Sequence, residues 1–207
     1  MQQGNATEKC NREMQQGNAT EIGKRKEGEF HMRIEREQTA ALIIDYQEKL
    51  VPVMHKKKQL IQNSGILLAG LNHLGIPMVI TQQYTKGLGM TVKEITEAAG
   101  TEEYIDKISF TAFDCVEEKI QDKKFIIVCG IEAHICVLQT VIDLVAAGYI
   151  PVVVEDCISS RKNSDRKCAL KRMRDEGAIV TTYESLLFEL LKVAGTDESK
   201  RIQRLIK

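Results

Sequence analysis

The chain has 207 residues, of which 43% are hydrophobic and 28% are charged. This length and composition suit one globular domain with a sizeable core. Its 29 basic and 29 acidic residues give a formal net charge of zero, so electrostatics favours neither nucleic acid nor an anionic membrane surface as a partner. No apolar run approaches the roughly 18 to 20 residues that span a bilayer.

Cysteine spacing argues against a structural metal site and against a disulfide framework. No CxxC pair occurs, and no Cys/His cluster has the spacing of zinc ligands. We therefore predict no metal or cofactor, reduced thiols, and a cytoplasmic protein, with an organelle such as the mitochondrion left open. Most of the six thiols should be small buried hydrophobes. They are Cys10, Cys115, Cys129, Cys136, Cys157 and Cys168.

Residues 1–31 differ from the rest of the chain. The octapeptide MQQGNATE occurs at 1–8 and again at 14–21, and a charged segment follows it. This polar composition predicts disorder. Two interpretations stay open: an expression leader with the native start near Met32, or a natural flexible extension.

From residue 39 onward, apolar runs typical of buried strands alternate with segments of helical periodicity. The runs predict strands at 40–46, 77–81, 104–108, 125–130, 149–156 and 178–182. Helices are predicted at 58–74, 91–98, 115–121 (with Asp114 as its cap), 133–147, 165–176 and 185–193. The alternation predicts a three-layer α/β/α sandwich with a mostly parallel, about six-stranded, doubly wound sheet. This domain should span 32–194, followed by a helical tail at 195–207.

Ligands of such folds bind beyond the carboxyl ends of the strands. Asp45 and Lys107 lie at two of these ends, and Cys136 begins the helix after a third. A helix start and a nearby lysine favour the thiolate, a carboxylate can move the thiol proton, and the 130–136 turn supplies backbone N–H groups for an oxyanion. Taken singly, the three residues are more often a helix cap, a solvated charge and a packed core thiol.

Three motifs resemble the isochorismatase-like cysteine hydrolases, a superfamily that includes nicotinamidases and N-carbamoylsarcosine amidases. They are DYQ at 45–47, Lys107 followed by Ser109 and Phe110, and GIEAHICVLQT at 130–140. The resemblance covers about 39–189. Within the superfamily it favours the branch of isochorismatase domain-containing proteins, through the stretches at 82–95 and 154–161.

The resemblance implies a catalytic triad. Asp45 would accept a proton, Lys107 would give electrostatic support, and Cys136 would be the nucleophile. It also implies a cis peptide between Ile131 and Glu132, and an oxyanion hole formed by the N–H groups of Glu132 and Cys136. The implied reaction is attack on an amide-like carbon of a small molecule, release of an amine, and hydrolysis of a thioester.

The sequence departs from parts of the superfamily. Nicotinamidases place an Asp-x-His metal site after the second strand, where this chain has Gln83, Tyr84 and Thr85. We therefore predict no metal at that position and doubt nicotinamide as the substrate. Some isochorismatases lack the cysteine, so the presence of Cys136 separates this chain from them.

Further residues near the strand ends are candidates to line a substrate pocket: Gln47, Gln83, Tyr84, Phe110 and His134. The apolar helix predicted at 133–147 favours homo-oligomerisation, which the family also implies. An alternative function is a catalytically silent family member that acts as an interaction or scaffold protein. A thiol-redox role is a third hypothesis, weakened because no resolving cysteine lies near Cys136 in sequence.

Overall fold

The computed structural model describes residues 32–207, so the predicted leader at 1–31 lies outside the described residues. One sheet of six parallel strands organises the described chain, in the order β3-β2-β1-β4-β5-β6. The strands are β1 Thr39–Ile44, β2 Met78–Gln83, β3 Ile105–Lys107, β4 Phe125–Ile131, β5 Ile150–Ser159 and β6 Ile179–Thr181. The predicted α/β fold is confirmed.

Buried strands occupy the centre of the sheet. All six residues of β1 are buried, since Ala41 and Ile43 pack into the core on one face while Leu42 and Ile44 pack into the core on the other. Helices cover both faces, so the strand reads as a continuous apolar run and not as an alternating pattern.

Eight helices are present among residues 32–207. They are α1 Lys57–His73, α2 Thr85–Leu88, α3 Lys93–Ala99, α4 Phe113–Ile120, α5 Leu138–Ala146, α6 Asn163–Asp175, α7 Tyr183–Leu191 and α8 Asp197–Ile206. Side chains of α1, α3, α7 and α8 share one apolar core with the sheet, and those of α4, α5 and α6 share the other. No helix in this part of the chain is long and apolar enough to cross a membrane.

Three local features differ from the sequence-based expectations. Helix α4 begins at Phe113 with Ala112 as its N-cap, so Asp114 lies inside the first turn and the prediction that it caps the helix is wrong. The earlier start places Phe113 edge-on to the Tyr149 ring, 6.1 Å between centroids. Helix α2 was not predicted. The segment expected to be one helix at 133–147 instead opens with a π-helical turn, Ala133–Val137.

The C-terminal segment belongs to the same compact unit as the sheet, Ile34–Lys207. Helix α8 buries Ile202 completely and is capped by Thr196, whose side chain accepts from the backbone N–H of Ser199 at 3.0 Å. The boundary at residue 194 between domain and tail stays a prediction.

The sheet changes winding direction between β1 and β4, which makes the carboxyl ends of these strands the expected ligand site. Gly130 lies at this edge with φ of 142°, and a Cβ there would lie 2.3 Å from the Ile44 carbonyl oxygen. A side chain at position 130 would therefore force β1 and β4 apart.

We expect Gly130→Ala to lower the free energy of unfolding by about 3 kcal/mol or more, because both the backbone angle and the contact with Ile44 are unfavourable. Urea denaturation measures the change. The matched control is Gly65→Ala inside α1, where a Cβ meets nothing within 4 Å and the substitution should add about 0.5 to 1 kcal/mol. Equal effects at the two positions would contradict the assigned role of Gly130.

Candidate active site

A buried ion pair joins the ends of β1 and β3. Lys107 Nζ lies 2.8 Å from Asp45 Oδ2, and the two side chains are 2% and 0% exposed. Asp45 directly follows β1 and Lys107 is the last residue of β3, so the parallel sheet brings together residues that are 62 positions apart. The sequence-predicted pair is thus formed.

Asp45 is held in an uncommon backbone conformation, with φ of 56°. Aspartate tolerates this left-handed region better than most residues do. The Thr81 hydroxyl donates to Asp45 Oδ1 at 2.9 Å, so each carboxylate oxygen has one donor. These contacts fix the carboxylate, as expected where a functional site carries local backbone strain.

Lys107 is anchored by three further acceptors. Its Nζ donates to Gln83 Oε1 at 2.7 Å, to the Phe110 carbonyl at 3.1 Å and to the Ser109 carbonyl at 3.2 Å. An ammonium group has only three protons, so these acceptors and Asp45 share them. The charge is therefore fully coordinated inside the protein without a substrate.

The Cys136 side chain lies beside this pair, in the π-helical turn that follows β4. The residue is 6% exposed. Its carbonyl accepts from Thr140 Oγ1 at 2.7 Å, and Thr140 Oγ1 in turn accepts from the Ala112 N–H at 2.8 Å. Thr140 thus ties the turn to the start of α4 and holds the cysteine backbone in place.

The surroundings of Cys136 raise the pKa of its thiol to about 12. Burial contributes most, followed by the negative charge of Asp45; the positive charge of Lys107 and the backbone N–H of Glu132 act in the opposite direction but do not offset them. Lys107 thus favours the thiolate, as expected, but burial and Asp45 outweigh it and the net change in the thiol pKa is upward. Lys107 Nζ is already paired with Asp45 Oδ2.

A protonated resting thiol predicts a particular alkylation profile. Iodoacetamide reacts with the thiolate, so the rate at Cys136 should rise about tenfold per pH unit between pH 7 and 10 without levelling off. Site-resolved mass spectrometry measures this rate, and the exposed Cys168 serves as the internal control. A plateau at Cys136 below about pH 8.5 would contradict the raised pKa.

The turn before Cys136 contains the implied oxyanion donors. A cis peptide bond joins Ile131 and Glu132, at the position that the resemblance implies. The Glu132 side chain is 8% exposed, and its Oε2 accepts from both the backbone N–H and Nε of Arg161, each at 3.1 Å. The Glu132 carboxylate is thus bound by Arg161. The backbone N–H of Glu132 faces the Cys136 sulfur.

The pocket candidates after the first two strands occupy different positions. Gln47 is fully buried; its amide bonds the Gln83 carbonyl, the Gln83 N–H and the Gly89 carbonyl. The polar atoms of the Gln47 side chain thus connect the segment after β1 to the end of β2 and to the segment after it, and these hydrogen bonds occupy them. Gln83 contacts Lys107 directly, whereas Tyr84 is 49% exposed and its ring covers Gly87.

Phe110 and His134 make contacts with different parts of the structure. The Phe110 ring is 55% exposed, while its carbonyl binds Lys107. His134 Nδ1 lies 2.9 Å from Ser160 Oγ, and its Nε2 lies 3.9 Å from Asp165 Oδ2. These contacts direct the imidazole toward the start of α6, away from the thiol.

Sequence reasoning missed three residues that organise the site: Thr81, Thr140 and Arg161. Only Thr140 had a local signal, because it lies one helical turn after Cys136 and a threonine hydroxyl often bonds the carbonyl four residues earlier. The contacts of Thr81 and Arg161 depend on the packing of distant segments. Residues 32–207 contain no cluster of three or more His, Cys, Asp or Glu side chains that could hold a metal.

Comparison with known proteins identifies the relatives of this chain. A family profile described as the isochorismatase domain matches residues 39–185. Isochorismatase domain-containing protein 2 of Danio rerio is 34% identical over 181 residues, which cover 84% of this chain and 89% of that protein.

Solved structures agree with this relationship. The structure described as MAR1 ribonuclease from Caenorhabditis elegans is 36% identical, covers 84% of this chain and 92% of its own, and has a TM-score of 0.79. The YcaC gene product of Escherichia coli, described as an octameric hydrolase of unknown specificity, has a TM-score of 0.74 at 22% identity, with 79% of this chain and 84% of that chain covered. At 22% identity, the similarity to the YcaC structure concerns the fold alone.

Proposed function

The chain belongs to the isochorismatase domain family, and on this premise we propose that it is a cysteine hydrolase that cleaves an amide-like C–N bond of a small molecule. Cys136 is the nucleophile and a thioester on it is the intermediate. The observation that carries the proposal is the buried cluster in which the Asp45–Lys107 ion pair, the Cys136 thiol and the Glu132 N–H meet.

The first half-reaction starts from the protonated thiol. Asp45 accepts the thiol proton as the sulfur attacks the carbonyl carbon, because a thiol of raised pKa needs a base in contact with it. The carbonyl oxygen takes up the negative charge, and the N–H groups of Glu132 and Cys136 stabilise it. Protonated Asp45 then gives its proton to the leaving nitrogen, so the amine departs and the thioester remains.

The second half-reaction reverses these roles. Water loses a proton to Asp45 and attacks the thioester carbon, the C–S bond breaks, and the proton returns to the sulfur. Lys107 keeps the Asp45 carboxylate in position through their 2.8 Å contact. The product is a carboxylic acid, and the resting thiol is restored.

Residue chemistry supports a metal-independent reaction on a small neutral molecule. The loop after β2 presents Gln83, Tyr84 and Thr85, amide and hydroxyl groups that are weaker metal ligands than carboxylates or imidazoles. The C. elegans relative is described as a ribonuclease, but the formal net charge of zero gives this chain no net electrostatic attraction to a long phosphate backbone. We therefore place amides ahead of RNA.

We also propose that the chain forms a homo-oligomer. The E. coli YcaC protein is described as octameric, and the described surface carries exposed apolar side chains beside the site. Ile108 and Phe110, in the loop after β3, are 71% and 55% exposed. Burial of such side chains between copies would remove apolar area from water. Light scattering of the purified chain measures the number of subunits.

Turnover with a trapped intermediate tests the proposed function. The wild-type chain is incubated with a panel of small amides and N-carbamoyl compounds, with a short RNA included, and amine release is followed. Rapid quenching with intact-mass measurement should reveal an acyl adduct on Cys136 with the productive amide. The rate of amine release from the productive amide should be unchanged in the presence of a chelator.

No turnover of any amide and no adduct would overturn the proposal and would favour the alternative of a catalytically silent interaction or scaffold protein. Cleavage of RNA alone would favour a nuclease instead. Loss of amide turnover with the chelator would contradict the metal-independent part of the reaction.

A further inference from the structure

A cavity lies at the same edge of the sheet, beyond the carboxyl end of β5 and between the starts of α1 and α6. Its volume is about 280 Å³, room for roughly nine waters at about 30 Å³ each. Asp45, Lys107 and Cys136 are all absent from its lining. The cavity is therefore separate from the proposed catalytic cluster, and its use does not depend on the proposed reaction.

Basic side chains dominate the charge of this cavity. Lys56, Arg166, Lys167 and His55 line it, against a single carboxylate, Asp156. Within residues 32–207, none of the four basic side chains forms an ion pair with a carboxylate. Lys56, Arg166 and Lys167 against one carboxylate leave this concave site with an excess of positive charge, which favours an anionic ligand.

The guanidinium of Arg166 is held in place by the end of β5. Its Nε donates to the Ile158 carbonyl at 3.1 Å and its Nη2 donates to the Glu155 carbonyl. Carbonyls orient the group but leave its full charge uncompensated. A positioned, half-buried guanidinium of this kind is well suited to bind a phosphate.

The opposing carboxylate is engaged elsewhere. Asp156 Oδ1 accepts from the Tyr183 N–H at 3.0 Å, and burial raises the pKa of Asp156. Its negative charge is thus partly satisfied at the start of α7. Asp165, in the first turn of α6, lies near His134 and does not line the cavity.

The N-terminal ends of helices α1 and α6 add partial positive charge to the cavity. Helices α1 and α6 have 17 and 13 residues, and neither start has a side-chain cap. Uncapped starts leave backbone N–H groups available to an anion. They support a site whose main evidence is the cavity and its unpaired basic side chains.

We propose that this cavity binds a small organic phosphate. The phosphoryl group would contact Lys56, Arg166 and Lys167, while the remaining volume would hold a few carbon and oxygen atoms beside Asn163. A dianion matches the excess of positive charge better than a monoanion does. The volume excludes a ligand as large as a dinucleotide.

Equilibrium dialysis against radiolabelled inorganic phosphate tests the proposal, with ionic strength held constant by chloride. We expect saturable binding at one site per chain, and displacement by glycerol 3-phosphate at lower concentration than by unlabelled phosphate, because the ester fills more of the cavity. Removal of two lysine charges in Lys56→Gln/Lys167→Gln should weaken binding roughly tenfold or more.

The matched control is Lys58→Gln/Lys171→Gln, which removes the same charge from the same two helices at exposed positions outside the cavity lining. This control should bind phosphate like the wild type, and thermal melting should show that both double variants fold. Absence of saturable binding to the wild type, or equal weakening in the two double variants, would overturn the proposal. Amide turnover plays no part in this readout, so failure of the catalytic proposal would leave the result unaffected.

Discussion

Replacing Cys136 by serine should abolish amide turnover, with kcat/KM falling by about ten-thousand-fold or more. A hydroxyl in this position would have a pKa even higher than that of the buried thiol, so it would be a much poorer nucleophile. The acyl adduct should also disappear from the quenched samples. Steady-state kinetics on the productive amide, together with intact-mass measurement, check both effects.

The matched control for this variant is Cys168→Ser, since Cys168 is exposed on α6. It should retain wild-type turnover and adduct formation. Comparable losses in the two variants would indicate that general damage to the protein, and not loss of the nucleophile, explains the result. Undiminished turnover in Cys136→Ser would remove the basis of the proposed reaction.

Removing the lysine of the buried ion pair should damage stability as well as activity. Lys107→Met leaves the fully buried Asp45 side chain with the Thr81 hydroxyl as its remaining donor. Breaking a buried pair in this way costs about 3 to 5 kcal/mol, because an uncompensated charge remains. Urea unfolding should show this loss in the free energy of unfolding, and the melting temperature should fall accordingly.

A double substitution separates the effect of the unpaired buried charge on stability from the effect of altered side-chain packing. Asp45→Asn combined with Lys107→Met removes both charges, so it should be more stable than Lys107→Met alone while remaining inactive. The exposed pair Lys93–Glu97, with side chains 81% and 65% exposed, supplies the control, and Lys93→Met should change stability by about 0.5 kcal/mol or less. If Lys107→Met costs no more than Lys93→Met, the pair has no structural role.

The strands were predictable because a strand buried on both faces has a continuous apolar sequence. Residues 40–44 and 125–129 are uninterrupted apolar runs, and the structure places them side by side as β1 and β4. Helix starts were harder to predict. Helix α4 starts at Phe113, which contacts Tyr149, a residue 36 positions away, whereas local capping chemistry pointed to Asp114.

The contact between Asp45 and Lys107 was predictable, but the charge balance around Cys136 was not. Parallel strands bring their carboxyl ends to one edge, which is why Asp45 and Lys107 were placed together correctly. The protonation state of Cys136 depends on how deeply the thiol is buried and on how closely Lys107 is coupled to Asp45. Neither quantity is visible in the local sequence, so the argument from the helix start and Lys107 could not weigh the opposing effects of burial and Asp45.

The burial of the proposed nucleophile as a thiol has consequences for oxidative chemistry. Peroxide attacks thiolates, so Cys136, with a pKa of about 12 and 6% exposure, should resist conversion to the sulfenic acid under conditions that oxidise low-pKa cysteines. The enzyme should accordingly remain active during oxidative stress. For the same reason, a covalent inhibitor would have to resemble the substrate closely enough to engage Asp45, because general thiol reagents would modify exposed cysteines first.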